Sequence, residues 1–565
     1  MESGGYFNTI RDLNLNGGTV ALTGGVNASY PAFALKGTVT VGGSQASQIN
    51  RVSGNFSRIS IGDNNLGATV FDVADATGDA SADLTVNAII QNLAGGNSLT
   101  KNGAGTMELT STNTYTGTTT VNEGTLRMVN STAGNAIRGS SHNYVIASGA
   151  TLEVDRTGGG VDAISNFNLS GSGTFKSSGL EMTQTSAGSN VNMSSGALFH
   201  VESGRYNFGQ AGLGDWSSNL SDMQVDNGAT FNGAATPTVV NALNGAGTLL
   251  TGGGITVGVD NGSGSFSGII GNSNWGATYS ITKAGSGTQT LNGTVANTYS
   301  GGTTINGGTI SLGTGGGVMT SHQDALGTGA VTANSGGELR LWISNTGSYT
   351  IDNAFTLDGG TVHGEDGLYD LTGAMTLAAG GGTLSGKWST KGITVSGLIS
   401  GSGALTIDEK TSSQSGLVVL TNNNTYTGGT TVDGGTLKLT GSGSIGNGGL
   451  TVNNGGTFSI ANDDFNSLGG AITVNEGGTL STDSTGGGNA HNIGAITLNG
   501  GTLSSSGNTW SEGNWILNGD VTVGGSALST ISGLAVGSKS GGGTYNVADS
   551  VAGAGTDLLV SAEIK

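Results

Sequence analysis

The sequence contains no cysteine, so it can form neither a disulfide framework nor a cysteine-based zinc or iron–sulfur site. Only 2 of its 565 residues are proline. Glycine, at 110 residues, is about a fifth of the chain rather than the third a collagen helix requires. Charged residues make up 10% and aromatics 5%, a composition that also suits disorder unless apolar residues recur regularly. The net charge of −19 disfavours nucleic acid and anionic membranes, which attract basic surfaces. No apolar run is long enough to span a bilayer, so no transmembrane helix is expected. The opening Met1-Glu2-Ser3-Gly4-Gly5 lacks the basic and apolar regions of a secretory signal. The expectation is therefore a cytosolic protein or a piece of a longer exported one.

What the chain does have is repetition. A block from Asn113 to Met128 (NTYTGTTTVNEGTLRM) returns at Asn297 to Leu312 and at Asn424 to Leu439. Its marked positions are Tyr115 and Gly117, then Tyr299, Gly301 and Gly302, then Tyr426, Gly428 and Gly429. A longer echo at one constant offset pairs Phe71, Val73 and Asp75 with Tyr545, Val547 and Asp549. It favours a piece cut in mid-unit, with sub-units at 1–100, 101–280, 281–414 and 415–565. A finer pattern, Gly-Gly-Thr-apolar-x-apolar, recurs at Thr436, Thr457, Thr479 and Thr502. Its nearly constant step of about 22 residues falls among the periods of repeat architectures. The intervals between the three tyrosines read as near-whole multiples of that step.

Segments such as Thr436-Leu437-Lys438-Leu439 and Thr457-Phe458-Ser459-Ile460 alternate polar and apolar residues, the pattern of a strand with one buried face. Gly-Gly, Asn-Gly and Asp-Gly pairs bound them and turn the chain. Short strands at such a fixed step can stack as coils that pair only with their neighbours. Scarce proline fits, since every coil donates to a ladder. The fold class expected is all-β: one continuous parallel β-helix over 1–565, of roughly 25 coils and roughly 120 Å at about 4.8 Å per coil. Leu437, Leu439, Phe458, Ile460, Leu480 and Leu503 should point inward. Leucine-rich repeats, propellers and calcium-wound β-rolls lack their signatures here.

The Asn-Thr-Tyr block resembles the autotransporter-associated β-strand repeat of type V secreted passenger domains. The lead-ins Lys101 to Leu109 and Lys283 to Leu291 match that repeat's usual approach; the third copy has the weaker Ser415 to Leu420. The resemblance implies a right-handed parallel β-helix displayed outside a Gram-negative-type bacterium, at the cell surface or beyond. It implies no activity, because function belongs to sites and not to folds. A membrane would be met only through a translocator barrel that this chain does not include.

Chemistry-bearing residues are sparse. The five histidines (142, 200, 322, 363 and 491) form no His-Glu-x-x-His zinc motif. The densest acidic stretch, His363 to Asp370, offers Glu365, Asp366 and Asp370 as weak metal candidates or, with Arg340 or Lys387 from stacked coils, as a lyase or glycosidase site. Asp463-Asp464 comes next. A solvated loop is the plainer reading of both. From Ala197-Leu198 to Thr230-Phe231 the gap exceeds one coil step by half, which suggests a protruding loop at 204–221. Its Tyr206, Phe208 and Trp216 could stack on sugars, or simply fill the interior.

The expected function is a non-catalytic extracellular scaffold or adhesin stalk that needs no metal and no cofactor. Glycan binding or cleavage at 363–370 or 204–221 is the alternative. Outward hydroxyl pairs at Thr457/Ser459, Thr479/Ser481 and Thr502/Ser504 leave ice or surface binding as a minor one. Expected partners are surface glycans or matrix components. A further copy is another, since Asp557 to Lys565 would form an uncapped apolar strand able to template end-to-end pairing.

Overall fold

The computed structural model describes the chain except at residues 1, 5–6, 24–30, 53–57, 63–67, 94, 131–141, 158–161, 165–166, 185–187, 208–213, 235–236, 273–277, 315–322, 344–346, 410–414, 462–467, 469, 485–490, 508–513, 539–542, 550–554 and 565. Two compact units are present: Met1–Ile281 with Thr298–Ser300, and Thr282–Asn297 with Gly301–Lys565. Each is a parallel β-solenoid whose coils run through three strand-bearing faces. Among the described residues the regular structure is otherwise one 3-10 turn at Gln323–Leu326 and an antiparallel start, where Glu2–Gly4 pairs with Phe7–Ile10.

In the first unit the first face stacks Leu84–Val86, Thr106–Leu109, Thr125–Asn130, Thr151–Arg156, Thr174–Gly179, Leu198–Val201 and Asp222–Val225. The second face includes Ile89–Asn92, Arg205–Asn207 and Thr230–Ala234, and the third Leu99–Asn102, Thr119–Val121 and Phe167–Gly171. Outward side chains of the first face form a ladder of alternating charge, Glu108, Arg127, Glu153 and Lys176. Arg127 Nε lies 3.0 Å from Glu153, and Lys176 Nζ lies 3.4 Å from Glu153 and 2.7 Å from Glu202. Burial opposes the charge on Glu153, yet these two cations hold its carboxyl below the usual range.

In the second unit the chain passes from a first face (Gly308–Leu312, Gly337–Leu341, Gly360–Gly364, Gly382–Gly386, Leu405–Glu409, Thr430–Val432) to a second (Leu417–Leu420, Gly435–Leu439, Gly456–Ile460, Thr479–Ser484, Thr502–Gly507). The third face carries Thr303–Ile305, Val331–Asn334, Phe355–Asp358, Met375–Leu377 and Ile399–Gly401.

The Gly-Gly-Thr repeat is a ladder: Thr436, Thr457, Thr479 and Thr502 pair in succession. Beneath it Leu437, Phe458, Leu480 and Leu503 stack, each 0% exposed; Leu439 and Ile460 are buried beside them. The step is not uniform, however. The coil from Met107 to its partner Leu126 is short, and the coil from Ile310 to its partner Leu339 is long. Longer coils mean slightly fewer of them than the sequence period suggests. Leu480→Ala should cost about 3 kcal/mol through the cavity it leaves. Because each coil contacts only its neighbours, hydrogen exchange should show the loss in Gly456–Ile460 and Thr502–Gly507 first. Unchanged exchange there would place Leu480 outside the core.

Candidate functional site

The densest chemistry in the second unit gathers where three consecutive first-face strands end. Arg340, His363 and Ser385 occupy one rung on successive coils. Pairing continues past the strands, with Glu365 N donating to Leu341 O and Lys387 N to Gly364 O. Trp342, Glu365-Asp366 and Lys387-Trp388 are thereby brought to one corner.

Glu365 is 7% exposed. Its Oε1 accepts from Arg340 Nε at 2.9 Å and from a second guanidinium nitrogen, with His363 Nε2 at 3.4 Å. Lys387 Nζ lies 2.9 Å from Oε2. Asp366 accepts the Trp342 indole N–H at 3.0 Å, the Trp388 indole N–H at 2.6 Å and Lys387 Nζ at 3.1 Å. The Arg340 guanidinium lies 4.0 Å over the Trp342 ring, and Lys387 5.5 Å from the Trp388 centroid. His363 Nδ1 meets Ser385 Oγ at 3.1 Å.

Burial works against both charges, but the surrounding donors win. Hydrogen bonds from His363, Lys387 and Arg340 hold Glu365 well below the usual carboxylate range. Trp388, Lys387 and Trp342 do the same for Asp366. Carboxylates held ionised by paired cations are poor general acids or bases at neutral pH. The cluster is a clasp that ties three coils together.

Arg340 and Lys387 are the cations that the acidic stretch was expected to draw from stacked coils. The three carboxylates do not form a common cation site. Asp370 stands apart, accepting from Ser396 Oγ at 2.7 Å, and no group of three or more metal-ligating side chains occurs among the described residues. The roles of Trp342, Trp388 and His363 were missed. The available signal was spacing: Asp366 follows Trp342 by one coil and precedes Trp388 by another.

The expected aromatic loop is corrected too. Leu198 pairs with Asp222 on the first face, and Arg205 with Thr230 on the second. The wide gap compared strands of different faces, and measured along either face the coils here are of ordinary length. Tyr206 and Trp216 are 0% and 1% exposed. They pack edge-on against Phe199 at 5.1 and 5.0 Å, and so offer no face to a sugar. Phe208 and Asp463-Asp464 lie outside the described residues.

The passenger-associated-transport-repeat family matches residues 99–128, 281–312 and 411–439. The chain carries three autotransporter passenger repeats. Over 182 residues it is 32% identical to a Brucella suis biovar 1 (strain 1330) protein named Adhesin BmaC autotransporter. That stretch is 32% of this chain and 4% of the relative, so the chain covers a small part of that protein's length. No solved structure matches the chain.

The geometry explains the passenger repeat's residues. Its Asn-Thr-Tyr turn takes the place of a strand. Asn113 Oδ1 accepts from Ile90 N at 2.9 Å and Asn424 Oδ1 from Ile399 N at 2.8 Å, replacing ladder bonds to the preceding coil. Asn424 also donates forward to Ser444 O at 2.8 Å, as Asn297 does to Ala325 O at 2.7 Å. Tyr115 and Tyr426 are buried, with their hydroxyls on Thr119 and Thr430 Oγ1 at 2.7 and 2.6 Å. Gly117 and Gly428 are glycine because a Cβ would come within 2.3 Å of the Asn97 or Gly403 backbone.

Two of the passenger repeats bury a lysine. Lys101 and Lys283 are 0% exposed. Lys101 Nζ donates to Asn102 O, Gly103 O and, on the next coil, Glu123 O at 3.0, 2.7 and 3.1 Å. Lys283 reaches Ala284 O, Gly285 O and Gly307 O in the same way. In the third repeat the strand opposite Val432 presents Ile407 where the first presents Lys101 opposite Val121, so the counterpart of Lys101 is Ile407, upstream of Ser415.

Burial pulls both ammonium groups down to about 8; for Lys101 it prevails over the Asp72, Asp83 and Glu123 carboxylates. The unfolded chain keeps these protons to about 10.4. It therefore binds more protons than the folded chain between about 8 and 10.4, and stability should rise with pH across that window. Buried tyrosines such as Tyr115, pushed up to about 12, act oppositely once unfolded tyrosines ionise near 10. Denaturant unfolding from pH 7.5 to 9.5 should thus show a gain on the order of 2 kcal/mol per lysine. Lys101→Met with Lys283→Met should flatten it. A flat wild-type profile would mean the lysines reach solvent.

Proposed function

We propose that this chain is a non-catalytic, adhesin-like scaffold displayed outside a Gram-negative bacterium, at its surface or released from it. The observation that carries the reading is the triple passenger repeat built into β-solenoid coils. The similarity to a protein named as an autotransporter adhesin supports it. So does the clasp, whose carboxylates are committed to cations and indoles instead of being poised for proton transfer. A stacked-coil surface offers rows of repeated side chains, which suits attachment over a broad face.

Two measurements test the reading. Antibody against the chain should label intact source bacteria or their medium, and beads coated with the chain should adhere to host cells or extracellular matrix. Absence of both labelling and adhesion overturns display and adhesion together. Release of reducing ends from any of a panel of neutral and acidic polysaccharides overturns the non-catalytic part and returns attention to Glu365 and Asp366.

A further inference from the structure

The second face of the second unit carries two outward columns of hydroxyls. Thr436, Thr457, Thr479, Thr502 and Thr530 stand in one register. Ser459, Ser481, Ser504 and Ser532 stand in the next, preceded by Lys438. The rows are not flat. Thr436, Thr457, Ser459 and Ser481 line an open groove of about 350 Å³ together with Leu417 and the charged Lys438 and Asp483. An exposed ion pair, Lys438 Nζ to Asp483 Oδ2 at 2.9 Å, reaches across the coil of Ser459.

Ser459 is only 6% exposed, yet its hydroxyl has no hydrogen-bond partner among the described residues, and it lines this groove. That hydroxyl opens into the groove, so it is available to an occupant that can exchange hydrogen bonds with it. Thr457 and Thr436 likewise make no side-chain hydrogen bond among the described residues.

We propose that this groove binds a neutral glycan, lying along the stacked coils with its hydroxyls on Thr457 and Ser459 and its apolar sugar face toward Leu417. The inference rests on the adhesin reading and gives it a site and a ligand class. Three features select the ligand. The free groups are hydroxyls, which both donate and accept, so the partner must do both. The cation beside them is already paired, and the chain carries a net charge of −19, so a polyanion is repelled. The side chains repeat at the coil spacing of about 4.8 Å, which suits a polymer of repeating units. The concavity argues against a planar crystal surface such as ice.

The test is titration calorimetry of the full chain with cellohexaose, laminarihexaose, chitohexaose and a hexagalacturonate. At least one neutral hexamer should bind. The double variant Thr457→Val with Ser459→Ala, which keeps the groove's shape, should weaken it about tenfold or more with an unchanged unfolding transition. Hydrogen exchange should show ligand protection in Gly435–Leu439 and Gly456–Ile460. Binding of none of the neutral hexamers, preference for the galacturonate, or wild-type affinity in the double variant would each overturn the proposal. The bead assay separates the two readings. Adhesion by a chain that binds no neutral hexamer sinks the groove alone, whereas hexamer binding without adhesion sinks the adhesin reading and keeps the groove.

Discussion

Phe199→Ala is expected to destabilise the first unit by about 4 kcal/mol, within the usual range for deleting a buried phenyl ring. Phe199 is 0% exposed and sits at the centre of an aromatic spine. Phe175 lies 4.9 Å away by ring centroids, Trp216 5.0 Å, Tyr206 5.1 Å and Phe231 6.0 Å. The spine continues through Phe167 to Tyr144. Three of the four contacts are edge-on, the arrangement in which ring pairs add to simple area burial. The strands around the resulting cavity are held in ladders on both sides and cannot collapse into it, so most of the cavity term should survive. Since coils contact only their neighbours, the loss should concentrate in Thr174–Gly179, Leu198–Val201 and Asp222–Val225. Hydrogen exchange with guanidinium unfolding measures it. Phe199→Leu should recover more than half of the loss. A cost under about 1 kcal/mol for Phe199→Ala, far below the expected range, would show that the ring is not interior.

Glu365→Gln should cost the second unit about 3 kcal/mol at pH 7, the lower end for breaking a buried ion pair. The lower end applies because the Arg340 and Lys387 side chains are 29% and 25% exposed and can regain water. The change is nearly isosteric, so the loss reports charge rather than volume. Its pH dependence is distinctive. Glu365 is held below its ordinary value, so it contributes stability that is fully present above the unfolded value near 4.3 and is lost as pH falls below it. The gap between wild type and Glu365→Gln should therefore shrink steadily from about pH 4.3 downward. Protection should fall first in Gly337–Leu341, Gly360–Gly364 and Gly382–Gly386, the strands the clasp joins. A gap unchanged down to about pH 3, well past the ordinary carboxylate range, would mean that the carboxylate's charge is not what the cations hold.

Local geometry was legible in the residue pattern. Alternation at Thr436 to Leu439 and Thr457 to Ile460, closed by Gly-Gly turns, sets which side chains face inward, because side-chain direction in a strand repeats every two residues whatever the surroundings. The near-constant step likewise placed Thr436, Thr457, Thr479 and Thr502 on one ladder, and the block at Tyr115, Tyr299 and Tyr426 announced the passenger repeat. Arg340 and Lys387 could be named as partners of the acidic stretch because two coil steps bracket it.

Which face a strand occupies became visible with the stacking of the coils. Thr303–Ile305 and Thr430–Val432 are equivalent strands of two passenger repeats, yet the former stands on the third face of its unit and the latter on the first. The interval between them is not a whole number of coils. Face assignment depends on the accumulated length of every intervening turn, and coils here differ in length, so an average step loses the phase within a few coils. The same accumulation misplaced Tyr206 and Trp216, because a strand on one face was measured against a strand on another. It also hid the roles of Trp342 and Trp388, whose partners lie a full coil away in sequence and are set by a stacking distance of about 4.8 Å.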